Sequence, residues 1–277
     1  MISPNAIIKD NRGGISLTYG LTAVENVFDL LYPFAIGVAI NGLMDQQWLA
    51  LLPLVGIWLA HTSMGYLRQR FDTRLFTRIY TRIASQTVVE QRGQGEATSE
   101  IAARTDMVEE LVEFLEGDVP AAMLALFGLI GGVGMLFYYD WLAGLLMSIL
   151  LVPAAFIYLD FGRAAQNMER HFNDRSELEV DIIANASDGS VRRHFRNLSR
   201  WRIRISDAEA RSWSSIELIA LGLFVCVLIR LTQIDGLLAG DIFAAVAYAV
   251  RMLDALDAVP ERVAAFSRMR DNFKRLG

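Results

Sequence analysis

Four groups of residues in this sequence are of types that could do chemistry. Gly93-Gln94-Gly95 lies in the stretch VVEQRGQGEATSE, and closely spaced glycines can free backbone amides to hold a phosphate. His61, His171 and His194 carry imidazoles. Glu25 with Asp29, and Arg251 with Asp254 and Asp257, set charges at three- and four-residue spacings that share one helix face. Arg192, Arg193, Arg196, Arg200, Arg202 and Arg204 form a basic cluster interleaved with Phe195 and Trp201.

The first two groups fail the tests of their chemistry. A phosphate loop of the G-x-x-x-x-G-K-[ST] kind needs a lysine to reach the terminal phosphates, and this sequence has only Lys9 and Lys274, neither after a glycine. A dinucleotide fingerprint fails too, because Thr98 stands where the third glycine belongs and the stretch follows a helical pattern rather than a strand. A helix ended by a glycine at positive φ and restarted with Thr98 or Ser99 as cap accounts for it. The three histidines are scattered without metal-ligand spacing, and no nucleophile has an identifiable base. An enzyme is therefore not expected, nor a cofactor or metal held by this chain. For the basic cluster, nucleic acid or anionic lipid is one reading, but a protein partner suits a site well below a bilayer better.

The elements that position these residues are long and apolar. Of the 277 residues 53% are hydrophobic and 21% charged, too apolar for most soluble domains. Six stretches suit a hydrocarbon core that takes about 20 helical residues: 15–43, 48–67, 119–139, 141–161, 216–231 and 241–259. Short connections alternate with two long ones, 68–118 and 162–215. Of 26 basic residues, two lie before the first span, seven and ten in the long connections and five after 259, with none in the short connections. The positive-inside rule then puts both termini and both long connections in the cytoplasm. The opening residues lack the pattern of a cleavable signal, so the first span is expected to stay in the mature protein. Cys226 lies within the fifth span, where a buried packing role is expected.

Each long connection continues the helical pattern of its flanking spans. Leu67, Phe71, Leu75, Ile79 and Ile83 recur every four residues, and Ile101, Val108, Leu111, Val112 and Leu115 form a second stripe, which predicts two antiparallel rods with an elbow near Gly93. At about 1.5 Å per residue the elbow lies roughly 30 Å below the membrane. Arg70, Arg74, Arg78 and Arg82 follow the apolar run and read as a solvated face. The second connection repeats the plan, descending over 162–184, turning at NASDGSVRRHF and returning, with RWRIRIS read as helix over a local strand.

Glu25 and Asp29 sit about 15 and 20 Å into the first span, and Arg251 near the middle of the sixth. Charges there face something other than lipid. Two readings stay open: Arg251, Asp254 and Asp257 make a salt-bridged packing face, or Glu25, Asp29, Arg251 and Asp254 line a cavity favouring cationic or amphipathic solutes. Gly128 to Gly134 in the third span allow close helix packing, and His61 reads as a hydrogen-bonded packing residue.

RLFTRIYTRIASQTVVEQRGQGEATSEIAARTDMVEELVEFLEGDVPA, with Gly95-Glu96 after its corner and Asp106, resembles the first intracellular hairpin of the ATP-binding cassette exporters. FYYDWLAGLL resembles their external turn between spans three and four, Gly189-Ser190-Val191 with RRHF their second coupling segment, and LLAGDIFAAV the start of their sixth span, capped by Asp241. The resemblance covers nearly the whole chain. It implies an all-α membrane domain of six transmembrane helices, with two cytoplasmic hairpins carrying coupling helices. It also implies a homodimer or heterodimer, a small-molecule substrate, no nucleic acid, and location in the cell membrane. Gly93, Gly95, Glu96, Gly189, Arg192 and Arg193 would meet a separate ATPase domain or subunit holding ATP and magnesium. The family's ATPase domain would begin about where RMRDNFKRLG ends the sequence, so a standalone membrane domain is expected. A membrane scaffold or regulatory protein keeping the exporter shape without a motor is the alternative.

Overall fold

A computed structural model describes residues 9–176 and 179–276. Glu177 and Leu178, in the expected descending arm, lie outside the described residues. Helices α1 (Arg12–Met44), α2 (Leu52–Gly93), α3 (Thr98–Glu113), α4 (Val119–Tyr139), α5 (Trp141–Ser176), α6 (Glu179–Asn185), α7 (Asp188–Thr232), α8 (Ala239–Asp257) and α9 (Val259–Leu276) follow in order. A 3₁₀ turn, Trp48–Leu51, precedes α2, and a π turn, Phe114–Asp118, joins α3 to α4. No strand occurs among the described residues, and RWRIRIS lies inside α7.

The chain divides into two compact units, one running to Asp140 and resuming at Leu231, the other Trp141–Arg230. In the first, α8 packs against both α1 and α4. Small residues permit this: a Cβ on Gly37 of α1 would lie 2.5 Å from the Gly240 carbonyl, and one on Gly132 of α4 would lie 3.1 Å from the Tyr248 carbonyl. The expected glycine packing in the third span thus holds at Gly128, Gly131 and Gly132, whereas a Cβ on Gly134 would meet nothing within 4 Å. Below the bundle α2 and α3 form the expected rod pair. Phe76, Ile79 and Ile83 close with Val108, Leu111, Val112 and Leu115 into one apolar core, joined by Ile15 and Met269. The stripe is set one residue off the sequence reading at its start: Leu67 is exposed, and Asp72 and Phe76, not Phe71 and Leu75, are buried.

In the second unit α5 buries Ala143, Met147, Leu150 and Ala154, while α7 buries Ile216, Ala220 and Val227, each at helical spacing. His171 of α5 stacks on Trp201 of α7 at 5.1 Å, which ties the two arms together. Cys226 faces outward rather than inward, one position before the buried Val227.

Among the described residues five helical stretches are long and apolar enough to cross a membrane, Arg12–Met44, Trp48–Gly93, Thr98–Tyr139, Trp141–Ala165 and Asp188–Thr232. The stretch expected as a sixth span forms α8, but Asp241, Arg251, Asp254 and Asp257 within it, and alanines in place of larger apolar residues, lower its hydropathy. Burial against two neighbours removes the need for a greasy surface. Elsewhere apolar side chains point outward, with Trp58, Ile130, Phe156 and Leu218 more than half exposed, as suits a hydrocarbon surrounding.

Candidate functional site

The first corner is a helix stop built on one glycine. Gly93 is still helical, and Gly95 takes φ +78. Its N–H donates to Arg92 O at 3.2 Å, and the Glu96 N–H donates to Gln91 O at 3.2 Å. This is the six-to-one and five-to-two pairing of a Schellman motif with glycine at the left-handed position. The turn Gln94–Ala97 leads directly into α3, and no separate helix lies between the rods. Ala97, not Thr98 or Ser99, occupies the N-cap position, and no side chain caps the helix. Arg92, Gly93, Gln94 and Gly95 are exposed, Glu96 is half-buried and Gln91 is buried. The Glu100 carboxyl beside the corner is held above the usual glutamate range, first by its hydrogen bond with Glu96 and then by the Glu96 charge. A Gly95→Ala substitution should cost about 1–2 kcal/mol, because an L residue is strained at that φ, and a thermal unfolding midpoint would read it.

The second corner breaks at Ala186 and Ser187. Ser187 O accepts from the N–H groups of Ser190 at 2.8 Å and Val191 at 3.0 Å, which starts α7. Gly189, expected in the corner, stands instead in the first turn of α7. Arg192, Arg193, Arg196 and Arg200 are exposed there, while His194 is buried.

The charges in the spans are brought together, but by pairs the spacing did not show. Glu25 accepts a hydrogen bond from Arg68 Nε, and Arg68 Nη1 also donates to Asp72 Oδ2 at 2.7 Å, so one guanidinium joins α1 to α2. Asp29 is paired across helices with Arg251. Arg251 thus reaches α1 rather than Asp254 one turn on, and Asp254 is exposed. Pro33 explains the choice. Having no N–H, it leaves the carbonyl four residues back, that of Asp29, without its helical donor. Arg251 Nη1 donates to that carbonyl at 2.6 Å while Nη2 holds the Asp29 carboxylate, and Tyr248 donates to the next carbonyl, Leu30 O, at 2.8 Å. Pro33 was passed over in the sequence, and it is the signal that marks the Asp29 carbonyl as in need of a donor. His61 behaves as expected, its Nδ1 2.9 Å from the Tyr32 hydroxyl.

Asp241 does cap α8, though from its third position: its Oδ2 accepts from the Leu238 N–H at 3.2 Å. Its Oδ1 accepts from Asn41 Nδ2 at 3.1 Å, and Asn41 Oδ1 accepts from the Gly240 N–H at 2.7 Å. Asn41, passed over in the sequence, thus fixes where α8 crosses α1.

A family model of the ABC transporter transmembrane region matches residues 5–240 of the chain. The chain belongs to that family. As an ABC transporter transmembrane region it is a multi-pass membrane protein and a transporter's membrane part, in a family that is not itself catalytic. Among the curated proteins no match was found.

Proposed function

We propose that this protein is the transmembrane subunit of an ABC exporter that works as a dimer and draws on ATP and magnesium bound by a separate ATPase chain or domain. The family match over residues 5–240 carries the reading. Both termini are cytoplasmic on this reading, and the ATPase meets Gly93, Gly95 and Glu96 at one corner and Gly189, Arg192 and Arg193 at the other. The exposure of Gly93, Gly95, Gly189, Arg192 and Arg193 supports it, since exposed charge such as that of the two arginines is what a partner's surface would complement. The substrate is a small cationic or amphipathic solute. Glu25, Asp29 and Arg251 shape the cavity as neutralised pairs, and the exposed Asp254 supplies its attraction for cations.

The test is recovery of an ATPase with the tagged chain from native membranes. We expect it with the wild type and about tenfold less with Arg192→Glu/Arg193→Glu, the effect of roughly 1.4 kcal/mol of charge mismatch. No ATPase with either version would favour a motor-less scaffold.

A further inference from the structure

The arginines that follow the second apolar stretch are not engaged alike. Arg68 gives its charge to Glu25 and Asp72. Arg70 and Arg74 are exposed, and among the described residues neither is paired with a carboxylate. Both are nevertheless held in place. Arg70 Nη1 donates to the Tyr66 hydroxyl at 2.8 Å, and its guanidinium lies 5.4 Å from the centre of that ring. Arg74 Nη1 donates to the Arg70 carbonyl, one turn back, at 2.7 Å. These bonds turn both side chains back along α2 toward its apolar stretch, the direction in which long helical side chains lean. A guanidinium carries five donors, so each keeps several for a further acceptor.

Depth decides what that acceptor is. No residue of 48–71 is buried, so this flank of α2 is open to the lipid around a multi-pass membrane protein. By helical rise the backbone of Arg70 lies about 5 Å and that of Arg74 about 10 Å beyond Leu67. Their side chains carry both guanidiniums back toward the headgroup layer, which adds about 5–7 Å to each side of a hydrocarbon core of about 30 Å. Arg78 and Arg82, about 16 and 22 Å beyond Leu67, lie below that layer. Thr73 and Thr77 share the face of Arg70 and Arg74 at three- and four-residue spacings, and with Arg74 they line the upper end of an open groove. Two guanidiniums and two hydroxyls can all donate, which suits the oxygens of a phosphate.

We propose that Arg70 and Arg74, with Thr73 and Thr77 beside them, bind the phosphate of an anionic phospholipid headgroup. The bound lipid fixes the depth of α2 at the point where span becomes rod. A lipid suits the site better than an acidic partner helix, because the two guanidiniums are turned toward the bilayer rather than out along the rod. Its acyl chains have an apolar wall in Leu59 and Leu67, both more than half exposed. The leaflet is the cytoplasmic one on the topology proposed above. A micelle has no sides, so binding measured there stands or falls apart from that topology.

The full-length chain in a neutral detergent is titrated with phosphatidylglycerol and, separately, with phosphatidylcholine, and bound lipid is counted by native mass spectrometry. The wild type is expected to bind its first phosphatidylglycerol about tenfold more tightly than phosphatidylcholine, and Arg70→Gln/Arg74→Gln to lose that preference. Arg78→Gln/Arg82→Gln removes the same charge further from the bilayer and should keep it. Equal loss in the two double variants would overturn the proposal, since diffuse positive charge would then be the cause. A wild type without the preference, or a preference that survives Arg70→Gln/Arg74→Gln, would overturn it as well. Displacement of phosphatidylglycerol from the wild type by millimolar inorganic phosphate would overturn the lipid assignment in favour of a free anion. If Arg70→Gln/Arg74→Gln does not fold, Arg74→Gln alone decides, with an expected loss of about threefold to fivefold.

Discussion

Replacing Arg251 with methionine should destabilise the protein by about 3–5 kcal/mol, the usual loss when one member of a buried ion pair is removed. Both side chains of the pair are only 24% exposed, so solvent screens little of the effect. Two acceptors on α1 lose their donor at once, the Asp29 carboxylate and the Asp29 carbonyl that Pro33 leaves open. Detergent-induced unfolding of the purified chain would measure it. Asp29→Leu added to Arg251→Met should recover most of the loss, because no charge then remains buried. Pro33→Ala added to Arg251→Met should recover a smaller part, about 1 kcal/mol, by restoring a helical N–H to the same carbonyl. Wild-type stability in Arg251→Met would show that the pair does not hold α8 to α1.

The contrast between what the sequence revealed and what it hid follows from the range of the forces involved. Apolar runs and periodicity are local, so α1, the rods of α2 and α3 and the glycine corner at Gly95 could be read from neighbouring residues alone. The pairing of charges is a property of helices far apart in sequence. Arg251 has Asp254 one turn away in its own helix, and only the packing of α8 on α1 brings Asp29 to it. The low hydropathy of the stretch expected as a sixth span has the same origin: α8 is packed against α1 and α4, and a reading by composition cannot register that burial. Cys226 and Val227 are adjacent and differ in exposure because a helix turns about 100° per residue, which a run of apolar letters does not resolve.

The contact that makes α8 a core helix should also be the one least tolerant of size. A Cβ on Gly240 would run into the Gly37 carbonyl and come within 2.6 Å of Asn41 Oδ1, the atom that accepts the Gly240 N–H. Neither can swing away: one is helix backbone, and the other is held by two bonds to the start of α8. Gly240→Val must therefore separate the helices and break the Asn41 bonds, a loss of about 3–5 kcal/mol from overpacking and unpaired polar groups together. The expected result is little folded protein by size-exclusion chromatography in detergent. Gly134→Ala is the matched control, on a helix of the same bundle but with open space around it, and it should be neutral or stabilising by up to about 1 kcal/mol through helix propensity. If Gly240→Val folded as well as Gly134→Ala, the close crossing of α1 and α8 would be wrong, and with it the reason that a helix bearing Asp241, Arg251, Asp254 and Asp257 can sit inside the bundle.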